Sequence, residues 1–504
     1  MSNIRRQSIL STLVIYIGFA IGLLNTYLFT RKGSFPDLHQ FGLYNAFIAI
    51  ATIMMAFSNL GITTFISKFF PYYKHHLKDE ENDILGISVI INSIGIGLLL
   101  ITGYVIKPMV VRKYSGNAPE IDQYYQWIFP LAIGLLIFNI LEAYSWQLRK
   151  SVLTNFLREG VWRLFTTVLI LLYLSGIMSS FDTFIKCFAF SYPFIALTLL
   201  TYLIFTKQIH INFSYSKVTK RFKRTIYKLC SFVYAGSLLF TVAQMFDSLV
   251  IPSVLTDGLA MLAVYSLAQS LVAMIQAPQR GIVAASMGPL SKAWREKDLV
   301  LIQKIYHRSS INQLLFALTL FGLLWLNYFN AVETLQLKES YKLAFTVILL
   351  LGSTKIIDMG TGINSQIIAT SSYWRFELTS GIILILIMLP VTYLLTKEFG
   401  INGTATAQLI SIGIYNTIRL IFLWKKFKLQ PFKSTTLLAF LWGLLVMATT
   451  YFLFDTQMGW FGLISRSCFF VLVFAIGTIY FRFSPDVEPV WATLKKRLGL
   501  TSKN

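Results

Sequence analysis

The sequence predicts an all-α integral membrane protein, a bundle of about fourteen transmembrane helices. Three observations predict it. Charge is scarce: of 504 residues, 55% are hydrophobic and only 13% charged, against about 25% charged in soluble proteins. Apolar runs of bilayer length recur along the whole chain. The basic residues gather in alternate connections. A chain this apolar could not keep a whole surface wet, so lipid is the solvent for most of it.

A span needs about 20 apolar residues. Runs of that kind cover 9–29, 42–67, 85–106, 124–146, 155–176, 184–206, 229–252, 259–283, 309–329, 342–368, 376–396, 403–424, 435–454 and 461–481. The first follows Arg5 and Arg6 and resembles a signal peptide. Its full-span length and the lack of a small-residue cleavage site favour an uncleaved anchor.

Orientation comes from the loops. Lys217, Lys220, Arg221, Lys223, Arg224 and Lys228 follow the sixth span. Lys292, Arg295, Lys297, Lys304 and Arg308 follow the eighth, and Lys425, Lys426, Lys428 and Lys433 the twelfth. Lys495, Lys496 and Arg497 lie in the tail. The opposite loops carry Asp182, Asp257 and Asp455. The exception holds Lys107, Arg112 and Lys113, offset by Glu120 and Asp122. Both termini are therefore expected in the cytoplasm. The net charge of +22 reads the same way, and no nucleic-acid partner is expected. Cys187, Cys230 and Cys468 lack metal-ligand spacing.

Three basic stretches look amphipathic. One carries Val218, Phe222 and Ile226; another Leu290, Trp294, Leu301 and Ile305; the third, opened by Ser484-Pro485, carries Val487, Trp491, Leu494 and Leu498. Interfacial helices on anionic lipid and plain loop helices are the two readings.

A repeat runs at an offset of about 220 residues, the six-helix period that parallel-repeat transporters show. Leu43-Tyr44 matches Val264-Tyr265, Arg5-Arg6 matches Lys223-Arg224, and Gln147 with Phe156 matches Gln366 with Phe376. An offset of six helices keeps orientation, so the repeat is parallel, with a pseudo-two-fold axis along the membrane normal. The expected organisation is an N-terminal six-helix lobe over 1–210, a second over 211–428, and an appendage of two helices and an amphipathic tail over 429–504.

Phe246-Asp247-Ser248-Leu249, followed by Val264-Tyr265, resembles the corresponding part of Wzx-type oligosaccharide flippases, in the multidrug/oligosaccharidyl-lipid/polysaccharide exporter superfamily. Phe399-Gly400-Ile401-Asn402-Gly403-Thr404-Ala405 looks like that family's turn between helices 11 and 12. Phe41-Gly42-Leu43-Tyr44 and Leu60-Gly61-Ile62 also fit. The resemblance implies a V-shaped, alternating-access transporter that works as a monomer. It would carry undecaprenyl-pyrophosphate-linked oligosaccharide units across the bacterial inner membrane for surface polysaccharide such as O-antigen, with a proton or sodium ion as a possible driver.

Ionisable residues inside spans are costly and are functional candidates by default. They are Arg280, Lys355, Asp247, Asp358 and Glu142. A lipid pyrophosphate needs fixed positive charge, and Arg suits phosphate by bidentate bonding. Arg280, beside Pro278 and Gly281, is the first choice and Lys355 the second; the bland alternative for Arg280 is snorkelling to the interface. Asp247 has three readings: ion coupling, a salt bridge to Arg280, or a bond to a neighbouring helix. Lys355 and Asp358, three apart, share a face and can pair. Interfacial placement is the favoured reading for Arg163, Arg375 and Arg419. His75 and His76, beside Lys74 and Lys78, read as solvated loop, and no cofactor or metal is expected. Without a Walker sequence, ATP hydrolysis at a P-loop is excluded.

The rivals are a cation-coupled drug exporter, which would use an acid in the N-terminal lobe where Glu142 is the lone intramembrane candidate; a lipid II flippase; and a membrane glycan polymerase or ligase, whose large outer loops are missing.

Overall fold

The computed structural model describes residues 2–454 and 457–487. Twelve of its helices are long and apolar enough to cross a membrane. Two further spans complete fourteen among the described residues. One is continuous through Ser151–Asn155, a π-helical turn Phe156–Val161, and Trp162–Leu174. The other hides in the 54-residue segment Trp374–Phe427. At 1.5 Å per residue an unbroken helix of that length would be about 80 Å long, far beyond a 30 Å hydrocarbon core.

That segment folds back at Gly400, whose φ of 60° and ψ of −145° are not helical. Thr396 Oγ1 and Thr404 Oγ1 are 2.8 Å apart, although eight residues of straight helix would separate them by about 12 Å. A Cβ on Gly403 would overlap the Leu395 carbonyl. The motif thus has a mechanical reading. Gly400 takes a backbone region open essentially only to glycine, and Gly403 lets the returning helix approach.

Many large apolar side chains point outward, among them Tyr104, Met109, Phe452 and Leu472. On a multi-pass membrane protein this surface is satisfied by lipid.

Packing divides the chain into Met1–Ala263 and Val264–Asn504. In the first unit, Ile128–Gln147 is the hub, packed by Leu38–Ser58, Ile62–His76 and Ser191–Phe205. In the second, Leu299–Thr334 plays that part for Ala277–Glu296, Ala344–Gly360, Ser434–Phe454 and Gly459–Tyr480. The repeat puts a boundary at 210/211, whereas packing puts one at 263/264. The difference is the 38-residue helix Lys217–Val254, which packs on Leu38–Ser58 and Ile62–His76. Its start is pinned there by buried Asp83, which accepts from Ser216 N at 2.8 Å and Thr219 Oγ1 at 2.6 Å.

Several expectations need correction. Val218, Phe222 and Ile226 run straight into the seventh span, as their pattern predicts, and form the first turns of this long helix; the second stretch differs. The face of Leu290, Trp294, Leu301 and Ile305 is covered by protein: it joins a core with Tyr306, Ile367 and Leu423, and Trp294 Nε1 donates to Ile367 O at 3.1 Å. In the third stretch, Trp491, Leu494 and Leu498 lie outside the described residues. The second span is interrupted at Leu60 and Gly61, with φ of 48° and 82°. The tenth is interrupted between Ala344–Gly360 and Asn364–Thr370. His75 and His76 form the last turn of Ile62–His76 together with Lys74, whose cation suits the helix dipole there.

Candidate functional site

Polar side chains in apolar helices must find partners, because an unbonded buried polar group costs several kcal/mol. Where they cluster, the structure marks its candidate chemistry. Among the described residues, one such cluster in each unit gathers the charges that the sequence singles out.

In the second unit the centre is Gln276, in a single 3₁₀ turn before Ala277–Glu296. Its Oε1 accepts from Lys355 Nζ at 2.9 Å. Its Nε2 donates to Asp358 Oδ2 at 3.0 Å. One glutamine therefore bridges the lysine and the aspartate that sequence spacing had put on one face. Asp358 Oδ1 also accepts from Asn416 Nδ2 at 3.1 Å. Asn416 Oδ1 accepts from Thr361 Oγ1 at 3.0 Å and from Asn364 Nδ2 at 2.8 Å. Thr361, Asn364 and Asn416 are all buried. The interruption after Gly360 is what turns Thr361 and Asn364 toward the cluster.

Three residues beyond Asn416, on the same helix face, is Arg419. It is 5% exposed, so the interfacial reading of this arginine is overturned. Its guanidinium donates to Glu377 Oε1 and to the Tyr415 hydroxyl and lies 3.6 Å from the Tyr415 ring centroid. Ser365 Oγ donates to the same Glu377 oxygen at 2.7 Å. The carboxylate compensates a cation that could not otherwise stay out of water. Arg375, by contrast, is exposed and stacks near Trp374.

Arg280 sits one helical turn past Gln276, just inside the Pro278 start of Ala277–Glu296, and is exposed. Lys355 is half-buried. Two cations thus lie within about one turn of a common glutamine. Asp247 is buried at 3% exposure within Lys217–Val254, in the first unit.

The first unit's cluster surrounds the π-helical turn. Glu142 is 3% exposed and pairs with Arg158 at 2.5 Å. Arg158 also lies 5.4 Å from the Phe138 ring centroid. Glu159 pairs with Arg163 at 2.6 Å. Arg163 NH1 donates to Gly18 O at 2.6 Å, and Asn25 Nδ2 donates to Arg163 O at 2.9 Å. Arg163 is therefore a tie between two spans. Glu142 is not the only intramembrane acid of this unit, since Glu159 lies within the predicted fifth span. The π turn, with its one extra residue, places Arg158 and Glu159 against different partners; such turns recur at functional sites.

Sequence reasoning missed Gln276, Asn416, Glu377, Glu159, Asp83 and Arg466. Arg466 is buried and donates to the carbonyls of Leu326 at 2.7 Å and Phe454 at 2.7 Å. Glu377, Glu159 and Arg466 carried a usable signal, an ionisable residue in or beside an apolar run. The two amides carried none, because Asn and Gln are unremarkable within a span.

The fold is shared with solved multi-span membrane transporters. The structure matches the lipid II flippase MurJ in an inward closed conformation with a TM-score of 0.72, covering 94% of this chain and 99% of that one at 16% identity. It matches an inward-facing multidrug resistance MATE family transporter at 0.61, covering 86% and 95% at 13% identity. The bent form of the Vibrio cholerae MATE transporter VcmN matches at 0.50, covering 84% and 98% at 14% identity. These likenesses establish the fold. No family model and no curated protein matches the sequence.

Proposed function

We propose that the protein is a lipid-linked oligosaccharide flippase, moving a lipid pyrophosphate and its glycan across a bacterial inner membrane by alternating access between two lobes. The observation that carries this reading is a pair of cations within apolar spans, Lys355 bonded to Gln276 and Arg280 four residues beyond that glutamine along the chain. A diphosphate requires fixed positive charge on a wet path, since crossing hydrocarbon as a bare anion is prohibitive. In the first unit the intramembrane acids Glu142 and Glu159 each hold an arginine. That commitment argues against a cation-coupled drug exporter using either acid as its ion site. Asp247 and Asp358 are the remaining positions for ion coupling. The O-antigen type of pathway and cytoplasmic placement of both termini belong to this proposal.

The fold match to a lipid II flippase over 94% of the chain favours one second reading, transport of a peptidoglycan precursor. Both readings need the same phosphate-binding charge. Rescue of a strain depleted of its lipid II flippase separates them.

Arg280→Ala is the direct test. A charge-assisted hydrogen bond is worth about 1.5–3 kcal/mol, so transport is expected to fall about tenfold to a hundredfold. Membrane levels of the variant should equal wild type. The measurement is surface glycan in a strain lacking the chromosomal gene, normalised to protein in the membrane fraction. Undiminished export from the variant would remove Arg280 from the transport path.

A further inference from the structure

A second feature of the molecule lies away from these clusters, wholly within the second unit. A cavity of about 970 Å³ opens between the start of Leu299–Thr334, the segment before Ser434–Phe454 and the end of Gly459–Tyr480. This is at the upper end of the 300–1,000 Å³ range of small-molecule sites. Lys304, Arg308, Lys433 and Arg482 line it, and no acidic side chain does so among the described residues. Between the cations the wall is apolar, from Val300, Ile311, Ile479 and Phe483.

The wall is built, not a chance gap. Gln303 clasps the backbone of Gln430 from both sides, Nε2 donating to its carbonyl at 2.6 Å and Oε1 accepting from its N–H at 3.1 Å. His307 Nδ1 bonds the Pro431 carbonyl at 2.9 Å. Arg308 grips Asp486 through both its Nε and a terminal nitrogen, and Asn312 Nδ2 donates to the same carboxylate at 2.6 Å. The guanidinium of Arg308 holds the Asp486 carboxyl below the usual carboxylate range. Arg308 is thereby occupied, while the exposed side chains of Lys304, Lys433 and Arg482 supply the cavity's charge.

Mixed lining of this kind fits a molecule with an anionic head and an apolar body. The adjoining helix supplies a path for the body. Leu437 and Leu441 on Ser434–Phe454 are exposed, at 62% and 52%, and an apolar face on a membrane helix meets acyl or prenyl chains. The basic loops put this end of the spans on the cytoplasmic side, where anionic lipid is concentrated. We propose that the cavity binds the phosphate headgroup of a membrane lipid, with Lys304 and Lys433 as the phosphate contacts and the chains lying along Ser434–Phe454. The proposal depends on the orientation of the spans and not on the flippase reading; Arg280 is not part of this cavity.

The test uses the full-length purified protein and lipid retention measured by native mass spectrometry. The probes are dioleoyl phosphatidylglycerol, dioleoyl phosphatidylcholine, farnesyl pyrophosphate and inorganic pyrophosphate. Wild type is expected to retain phosphatidylglycerol over phosphatidylcholine. Lys304→Gln with Lys433→Gln should lower that retention at least about tenfold, from about 1 kcal/mol per cation, with an unchanged melting temperature. Lys304→Arg with Lys433→Arg should retain it. Displacement by farnesyl pyrophosphate more effectively than by excess phosphatidylglycerol assigns the site to a pyrophosphate carrier lipid, and the reverse assigns it to bulk anionic lipid; either supports a lipid phosphate site. Retention unaffected by the Gln variant, equal retention of phosphatidylcholine, or displacement by inorganic pyrophosphate as effective as by either lipid overturns it. The assay reads no transport, so its failure would leave the flippase proposal standing, and failure of the Arg280 test would leave this one.

Discussion

Replacing Glu377 by Ala should destabilise the second unit by about 3–5 kcal/mol, the usual cost of leaving one partner of a buried ion pair alone. Arg419 is 5% exposed and cannot swing out to water without unpacking the helix that carries it. Its guanidinium would keep the Tyr415 hydroxyl and ring, neither of which offsets a full charge. Ser365 would lose its acceptor as well. A whole domain is typically stable by about 5–15 kcal/mol, so the loss should appear as a large drop in melting temperature of the purified protein. The double variant Glu377→Ala with Arg419→Met should recover most of it, since removing both charges also removes the desolvation penalty. A single variant that melts like wild type would show that the pair is not holding the arginine in place.

The second large effect is expected at the turn that reverses the eleventh span into the twelfth. Gly400→Val puts a β-branched residue at φ 60° and ψ −145°, a strain of about 1–3 kcal/mol. Gly403→Val drives a side chain into the Leu395 carbonyl. Backbone cannot yield as a side-chain tip can, so the cost sits at or above the upper end of the usual 1–3 kcal/mol for overpacking. Together the two changes should keep the hairpin from closing and reduce folded protein in the membrane to a small fraction of wild type. Gly381→Ala, in the same segment but with nothing within 4 Å of the new Cβ, should be accepted. Quantifying protease-resistant, detergent-extractable protein checks all three. Normal yield from the Gly400→Val, Gly403→Val variant would mean that the two spans are not joined as described.

The turn also shows how far sequence alone reaches. Two apolar runs, 376–396 and 403–424, with a stretch between them that resembles a family turn, marked the reversal correctly even though the backbone ladder runs on through it. The interruptions at Gly61 and after Gly360 were not legible in the same way. Both lie inside runs apolar enough to be continuous, and composition does not register a single left-handed residue. The amphipathic stretch at Leu290 and Leu301 shows a different limit. An apolar stripe beside basic residues looks the same whether it lies on lipid or on protein, and only packing showed Tyr306, Ile367 and Leu423 covering it.

By itself, the sequence determined the class of protein, the number of spans and the positions of nearly all of them. Each of those depends on the hydropathy of contiguous residues, and the bilayer imposes a fixed length on every helix. It also picked out Lys355, Asp358, Glu142 and Asp247 as residues that need an explanation. What those charges meet was decided by tertiary structure alone. Arg419 was expected at the interface, yet it is buried against a carboxylate 42 residues away in the chain. Lys355 and Asp358 looked like a simple pair because they are three apart, yet Gln276, some 80 residues earlier, joins them. A membrane helix must bury its charges against whichever helix packs beside it, and that neighbour is set by the fold, not by distance along the chain.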